Sequence, residues 1–208
     1  MAVANEAVTA QDVEDAAGLI AGKVRETPVL PAGELSRRVG APVVLKAENL
    51  QLTGSFKARG ATNMIGRLPE SALRAGVVAA SAGNHAQAVA CAARDAGARA
   101  VLVMPEGAPV SKVAAVRQYG GEVRLHGGGY DDAHAEAARL SAAEGMTVVH
   151  AFDAPDVVAG QGTVGLEIAR QAPDVRLIVV PLGGGGLASG IALAAAQWLP
   201  EARVVGVQ

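Results

Sequence analysis

The chain has 208 residues, 50% of them hydrophobic and only 2% aromatic, with a formal net charge of -2. That length buries the core of one large or two small domains, and the lack of a basic excess or of aromatic stacking platforms argues against nucleic acid as a partner. Arg, Asp or Glu interrupts each apolar stretch before the ~20 residues of a membrane span, and Met1–Glu6 has no signal-peptide pattern.

A helical pattern over about 10–21 leads into the extended stretch Thr27-Pro28-Val29-Leu30. From Val43 onward, strand-length apolar runs alternate with helical segments. The strands are expected at 43–47, 77–81, 100–104, 122–125, 147–150, 177–181 and 203–207. The helices are expected near 55–67, 84–96, 110–119, 130–144, 157–171 and 186–199, and Gly127-Gly128-Gly129 punctuates a loop. Continuous apolar strands suit a parallel sheet buried on both faces, so the fold class is α/β. The last strand has no helix after it, which gives the expectation that the fold is C-terminally incomplete.

Cys91 is the single cysteine, which excludes an internal disulfide and fits a reducing, cytoplasmic setting. Its helical run predicts a buried structural thiol. Of the four lysines, Lys23 and Lys112 fall on helix surfaces, and Lys46 lies in an apolar strand beside Glu48 as an ion-paired or snorkelling residue. Lys57 differs. In Leu52-Thr53-Gly54-Ser55-Phe56-Lys57-Ala58-Arg59-Gly60-Ala61 it falls on the first turn of a helix that Ser55 is placed to cap, where the helix dipole disfavours an ammonium. A lysine with a lowered pKa suits nucleophilic attack on a carbonyl, although a solvated surface lysine is the plainer reading.

Gly183-Gly184-Gly185-Gly186 stands between an apolar strand and an apolar helix. Glycines there let backbone N–H groups close on an anion at a helix N-terminus, whereas the plainer reading is a flexible loop. Gly183-x-Gly185-x-x-Ala188 also fits the looser dinucleotide fingerprint, which keeps a nicotinamide-dependent oxidoreductase as a rival, while no Lys-Ser or Lys-Thr pair follows for a Walker loop. Ser81-Ala82-Gly83-Asn84-His85 forms another strand-to-helix turn. Ser81 and Asn84 can cap that helix, and its donors also suit a carboxylate or phenolic oxygen. His126, Asp131, Asp132 and His134 lie close in sequence, but acids belong at a helix start and no metal-ligand spacing appears, so no metal site is expected. There is no GxSxG elbow.

Taken together, Ser55 to Ala61, Ser81 to His85, Gly160-Gln161-Gly162-Thr163 and the tetraglycine turn resemble the pyridoxal-phosphate serine/threonine dehydratases, a fold type II group that includes serine racemases. The resemblance runs from Thr27 to the end of the chain. It implies a parallel-sheet large domain, residues 1–68 plus 149–208, with a smaller α/β domain, 69–148, inserted in it. It implies that Lys57 binds pyridoxal 5'-phosphate covalently and that Phe56 packs near its ring. Gly183, Gly184, Gly185 and Gly186 would bind its phosphate, and Asn84 its phenolic oxygen. Ser81, Gly83, Asn84 and His85 would take the substrate carboxylate, with closure of the small domain excluding water. The partner of the ring nitrogen would lie beyond Gln208.

Within that group, His85 and Ala58 stand where β-replacement enzymes and threonine synthases usually carry threonine and aspartate. Ala82 stands where serine racemases carry the serine that works opposite the lysine. The implied activity is therefore ammonia elimination from L-threonine, L-serine or a related 3-hydroxy amino acid, in a homo-oligomer. The alternatives are a racemase-like or β-replacement enzyme, or a non-catalytic fragment of the fold.

Overall fold

The computed structural model describes residues 7–208, so the expectation for Met1–Glu6 lies outside the described residues. The chain opens with α1 (Ala10–Ile20), capped by Thr9, whose hydroxyl accepts from Asp12 N–H while the Asp12 carboxylate accepts from Thr9 N–H. Strands β1 (Val29–Pro31) and β2 (Val44–Lys46) pair antiparallel, with α2 (Gly33–Val39) between them. Two 3-10 turns, Glu48–Leu50 and Leu52–Gly54, lead into α3 (Lys57–Gly66), and α4 (Glu70–Ala75) follows.

The central layer is a four-stranded parallel sheet in the order β5-β4-β3-β6, made of β3 (Val77–Ala80), β4 (Ala100–Met104), β5 (Glu122–Leu125) and β6 (Thr147–Val148). The connecting helices are α5 (Asn84–Asp95), α6 (Val110–Gln118) and α7 (Tyr130–Glu144). The period of two along each strand sorts the side chains into two cores. Val77, Ala79, Leu102 and Met104 face the apolar side of α5. Val78, Ala80, Val101 and Val103 face Ala133, Ala137 and Leu140 of α7. Burying one such valine or leucine fully is worth about 1.5–3 kcal/mol.

After β6 the chain forms α8 (Pro155–Gln171), β7 (Leu177–Pro181), α9 (Gly186–Trp198) and β8 (Arg203–Val207), with β7 and β8 paired in parallel in a separate sheet. Helix α8 is wedged among α1, α3 and α9 by glycines. A Cβ on Gly160 would lie 2.7 Å from Gly60 Cα, one on Gly162 2.6 Å from Val13, and one on Gly190 2.5 Å from the Gly162 nitrogen. Gly160-Gln161-Gly162-Thr163 is thus a helix-packing surface in mid-helix.

Several expectations are corrected. Helices α2 and α4 were not foreseen, because neither buries a residue and so neither carries an apolar period. The strand expected over 147–150 ends at Val148, although Val149 N–H still donates to the Val78 carbonyl of β3 at 2.9 Å, and the Val149 carbonyl turns to the His85 ring. Burial on both faces holds for β3 and β4. It fails for β7, where Ile178 and Val180 pack on α8 and α9 while Leu177 and Val179 are exposed, because helices cover only one side of that pair. Cys91 is buried as expected, and burial raises its thiol pKa.

Candidate active site

Lys57 stands at the start of α3, but Ser55 does not cap that helix. Ser55 is extended, Phe56 already has helical angles, and the first turn is closed by backbone: Ala58 N–H donates to the Ser55 carbonyl and Arg59 N–H to the Phe56 carbonyl. The Ala58 and Arg59 donors are taken by backbone carbonyls, and the buried Ser55 hydroxyl has no partner among the described residues. Nearby Thr53 sits at φ 60°, a strained value for a β-branched residue.

The Lys57 amine donates to the Ala151 carbonyl at 2.5 Å and lies 5.2 Å from the centre of the Phe56 ring. Its pKa is lowered, as expected, but the cause is desolvation by burial. Phe56 leans on the core that includes Val164, Ile168 and Leu187, which ties the start of α3 to the start of α9.

The tetraglycine turn meets the same region. A Cβ on Gly184 would lie 2.3 Å from the Phe152 ring, and one on Gly186 2.6 Å from the Phe152 carbonyl oxygen, so these positions must lack side chains. Gly185 takes φ +90° as the N-cap of α9, and no side chain caps that helix. Its first N–H groups therefore have no intrahelical acceptor, and the exposed Gly183 and Gly184 precede them.

The head of α5 supplies a third set of donors. Gly83 is the N-cap without a side-chain bond, so neither Ser81 nor Asn84 caps the helix; instead Ser81 Oγ accepts from Gly83 N–H at 3.1 Å. Asn84 is exposed at the helix start. At His85 the imidazole Nε2 donates to the Val149 carbonyl at 2.9 Å, so its side chain is engaged and its backbone N–H is what it offers an anion. Burial, reinforced by Lys57 and His150 and opposed by the Val149 bond, holds the His85 pKa down at about 4, and the ring is neutral.

One segment thus gathers all three sets. Val149 takes His85, Ala151 takes Lys57, and Phe152 receives the glycine turn. That loop was missed in the sequence because it has no glycine run or charge pattern. Also missed was the partner set of Arg59, which is fully buried and bonds Glu48 at 2.8 Å and Glu167 at 2.5 Å, while Lys46 bonds Glu167 at 2.5 Å. The signal was a charged residue two places after Lys57, on the opposite side of the helix. Lys46 is the ion-paired residue of the two readings offered for it.

Asp132 accepts from Gly128 N–H at 2.8 Å and Gly129 N–H at 3.3 Å, which makes it a cap of α7. Among the described residues, no group of three or more His, Cys, Asp or Glu is placed to hold a metal. No helix among them is long and apolar enough to cross a membrane.

The arrangement suits a ligand with a reactive carbonyl at one end and an anion at the other. A partly buried amine whose pKa is lowered by desolvation, an orphaned buried hydroxyl at Ser55 and a glycine turn at an uncapped helix start are what such a molecule requires. An L-threonine ammonia-lyase of Thermotoga maritima is 47% identical over 97% of this chain and 50% of its own length. The chain therefore spans about half the length of that relative. Maize serine racemase superposes with a TM-score of 0.94 at 37% identity, over 97% of this chain and 61% of that one. The processed form of threonine deaminase isoform 2 from Solanum lycopersicum gives a TM-score of 0.91 at 41% identity, over 94% and 54%. The model of the family described as pyridoxal-phosphate dependent enzyme matches residues 20–208, and the chain belongs to that family.

Proposed function

We propose that the protein is a pyridoxal-phosphate-dependent ammonia-lyase that converts L-threonine or L-serine to a 2-oxo acid and ammonia. The observation that carries this is the half-buried Lys57 amine, its pKa lowered by desolvation, bonded to Ala151 next to the Phe152 that backs the uncapped glycine turn. Lys57 would hold the cofactor's aldehyde carbon, the N–H groups of Gly183 to Gly186 its phosphate and Asn84 its phenolic oxygen, with Phe56 against its ring. When bound, the cofactor supplies the electron sink that acidifies the Cα–H bond of an amino acid.

The chain's own residues do the rest. The first-turn N–H groups of α5, with Gly83 and the Ser81 hydroxyl, orient the substrate carboxylate. Burial keeps the Lys57 amine able to accept a proton, and it takes the one on Cα. The β-hydroxyl leaves as one water, and hydrolysis of the released imine takes one water up and frees ammonia, so the net products are the 2-oxo acid and ammonia. Residues 69–148 form the small domain that closes over the site and excludes water. Ala82, packed against the core under α5, puts a methyl where a racemase needs a proton donor on the far face. Elimination is therefore favoured over racemisation. The same reading includes a cytoplasmic location and a homo-oligomer.

The test is borohydride reduction of the purified protein mixed with pyridoxal phosphate, then peptide mapping and product analysis with L-threonine. The label is expected on Lys57, with 2-oxo acid formed by the wild type and not by Lys57→Ala. A label elsewhere, or D-amino acid without 2-oxo acid, overturns the assignment.

A further inference from the structure

Three parts of the site hang on the turn between β6 and α8, and His150 holds that turn. Its Nδ1 accepts from Asp153 N–H at 2.8 Å and from Phe152 N–H at 3.3 Å. Its ring meets Phe152 edge-on, with centroids 4.8 Å apart at 83°. An imidazole nitrogen that accepts two N–H groups carries no proton, so these bonds assign the proton to Nε2. On either side of this clamp, the Ala151 carbonyl receives the Lys57 amine and Phe152 receives Gly184 and Gly186.

We propose that His150 is a positioning residue for Lys57, its unprotonated Nδ1 fixing the 150–153 turn so that Ala151 meets the amine and Phe152 backs the glycine turn. The functional weight of this rests on Lys57 being the catalytic amine. Protonation of His150 removes the acceptor and frees the turn. The groups around the ring set when that happens. Burial first, then His134 on α7 and Lys57 on α3, lower the His150 pKa against the pull of Asp153, and His150 in turn acts on His85 of α5. The clamp is therefore closed at neutral pH and opens below the ordinary histidine range. A cavity of about 130 Å³ lined by Tyr130, His134 and His150 gives the released ring room to move.

Two variants test this. In His150→Asn the amide oxygen sits one bond from Cγ, as Nδ1 does, and accepts the same N–H groups without titrating. His150→Leu fills the space with no acceptor. The readouts are amide hydrogen exchange at Phe152 and Asp153, and the pH dependence of Lys57 arylation by fluorodinitrobenzene followed by peptide mass mapping. In His150→Leu, exchange at both amides is expected to rise by about tenfold or more, with an altered Lys57 profile. His150→Asn is expected to match the wild type at neutral pH and to lack its loss of protection in acid. Unchanged exchange and Lys57 reactivity in His150→Leu would overturn the proposal, as would an acid-induced loss that persists in His150→Asn. Neither readout needs cofactor or substrate, so failure of the ammonia-lyase reading is scored separately by the Lys57 label.

Discussion

Strands β3 and β4 are buried along their whole length, whereas β7 hides Ile178 and Val180 and bares Leu177 and Val179. Around the first pair, helices α5 and α7 cover both faces and the packing is apolar. Around the second, α8 and α9 cover one face, and the neighbouring helix stack is held by glycine contacts and by the buried cluster of Arg59, Glu48, Glu167 and Lys46. The Lys57 amine and the glycine turn come from this second region, and the head of α5 comes from the first. The site therefore depends on two kinds of cohesion, one of apolar area and one of matched charge.

The sharpest way to break that contrast is Arg59→Met. It leaves Glu48 and Glu167 facing Lys46 alone, and urea denaturation is expected to show a loss of about 3–5 kcal/mol. Adding Glu48→Gln should recover part of it, because the charges balance again; no recovery would mean that lost packing, rather than charge, explains the cost.

His85 probes the seam between the regions. Its folded pKa of about 4 lies below the ordinary histidine value of 6.5, so above 6.5 both states are neutral and stability is complete. As the pH falls from 6.5 to 4 the unfolded chain takes the proton first, and about 3 kcal/mol is expected to drain away before the loss levels off. Measured stability against pH should be flatter over that window in His85→Gln.

The smallest effects give the cleanest comparison. Val103→Thr puts a hydroxyl into a wholly buried site and is expected to cost about 1–3 kcal/mol. The same isosteric change at Val179, which is 61% exposed, should stay within about 0.5 kcal/mol by thermal unfolding. Equal costs at the two positions would show that the outer face of β7 is covered in solution.

Much of this architecture can be read from local pattern. Ala100–Met104, Glu122–Leu125, Tyr130–Glu144, Leu177–Pro181 and Arg203–Val207 fall where the apolar runs and periods put them. Helices Gly33–Val39 and Glu70–Ala75 escaped because no buried face marks them. Lys57, the tetraglycine turn and the head of α5 stood out, since each breaks an otherwise regular strand-to-helix pattern. His150 did not, because an acceptor nitrogen serving its own loop leaves no mark in composition or spacing.

Residue order alone established the α/β alternation, the single unusual lysine and the glycine turn, because these rest on short-range periodicity and on backbone freedom that glycine alone supplies. Folding in three dimensions determined the rest: that burial rather than a helix end lowers the Lys57 pKa, that Ser55 caps nothing, that His85 turns its ring to Val149, and that one face of β7 stays bare. Desolvation and hydrogen-bond partnership depend on groups about ninety residues away in the chain, such as Ala151 opposite Lys57, and no local pattern encodes that distance.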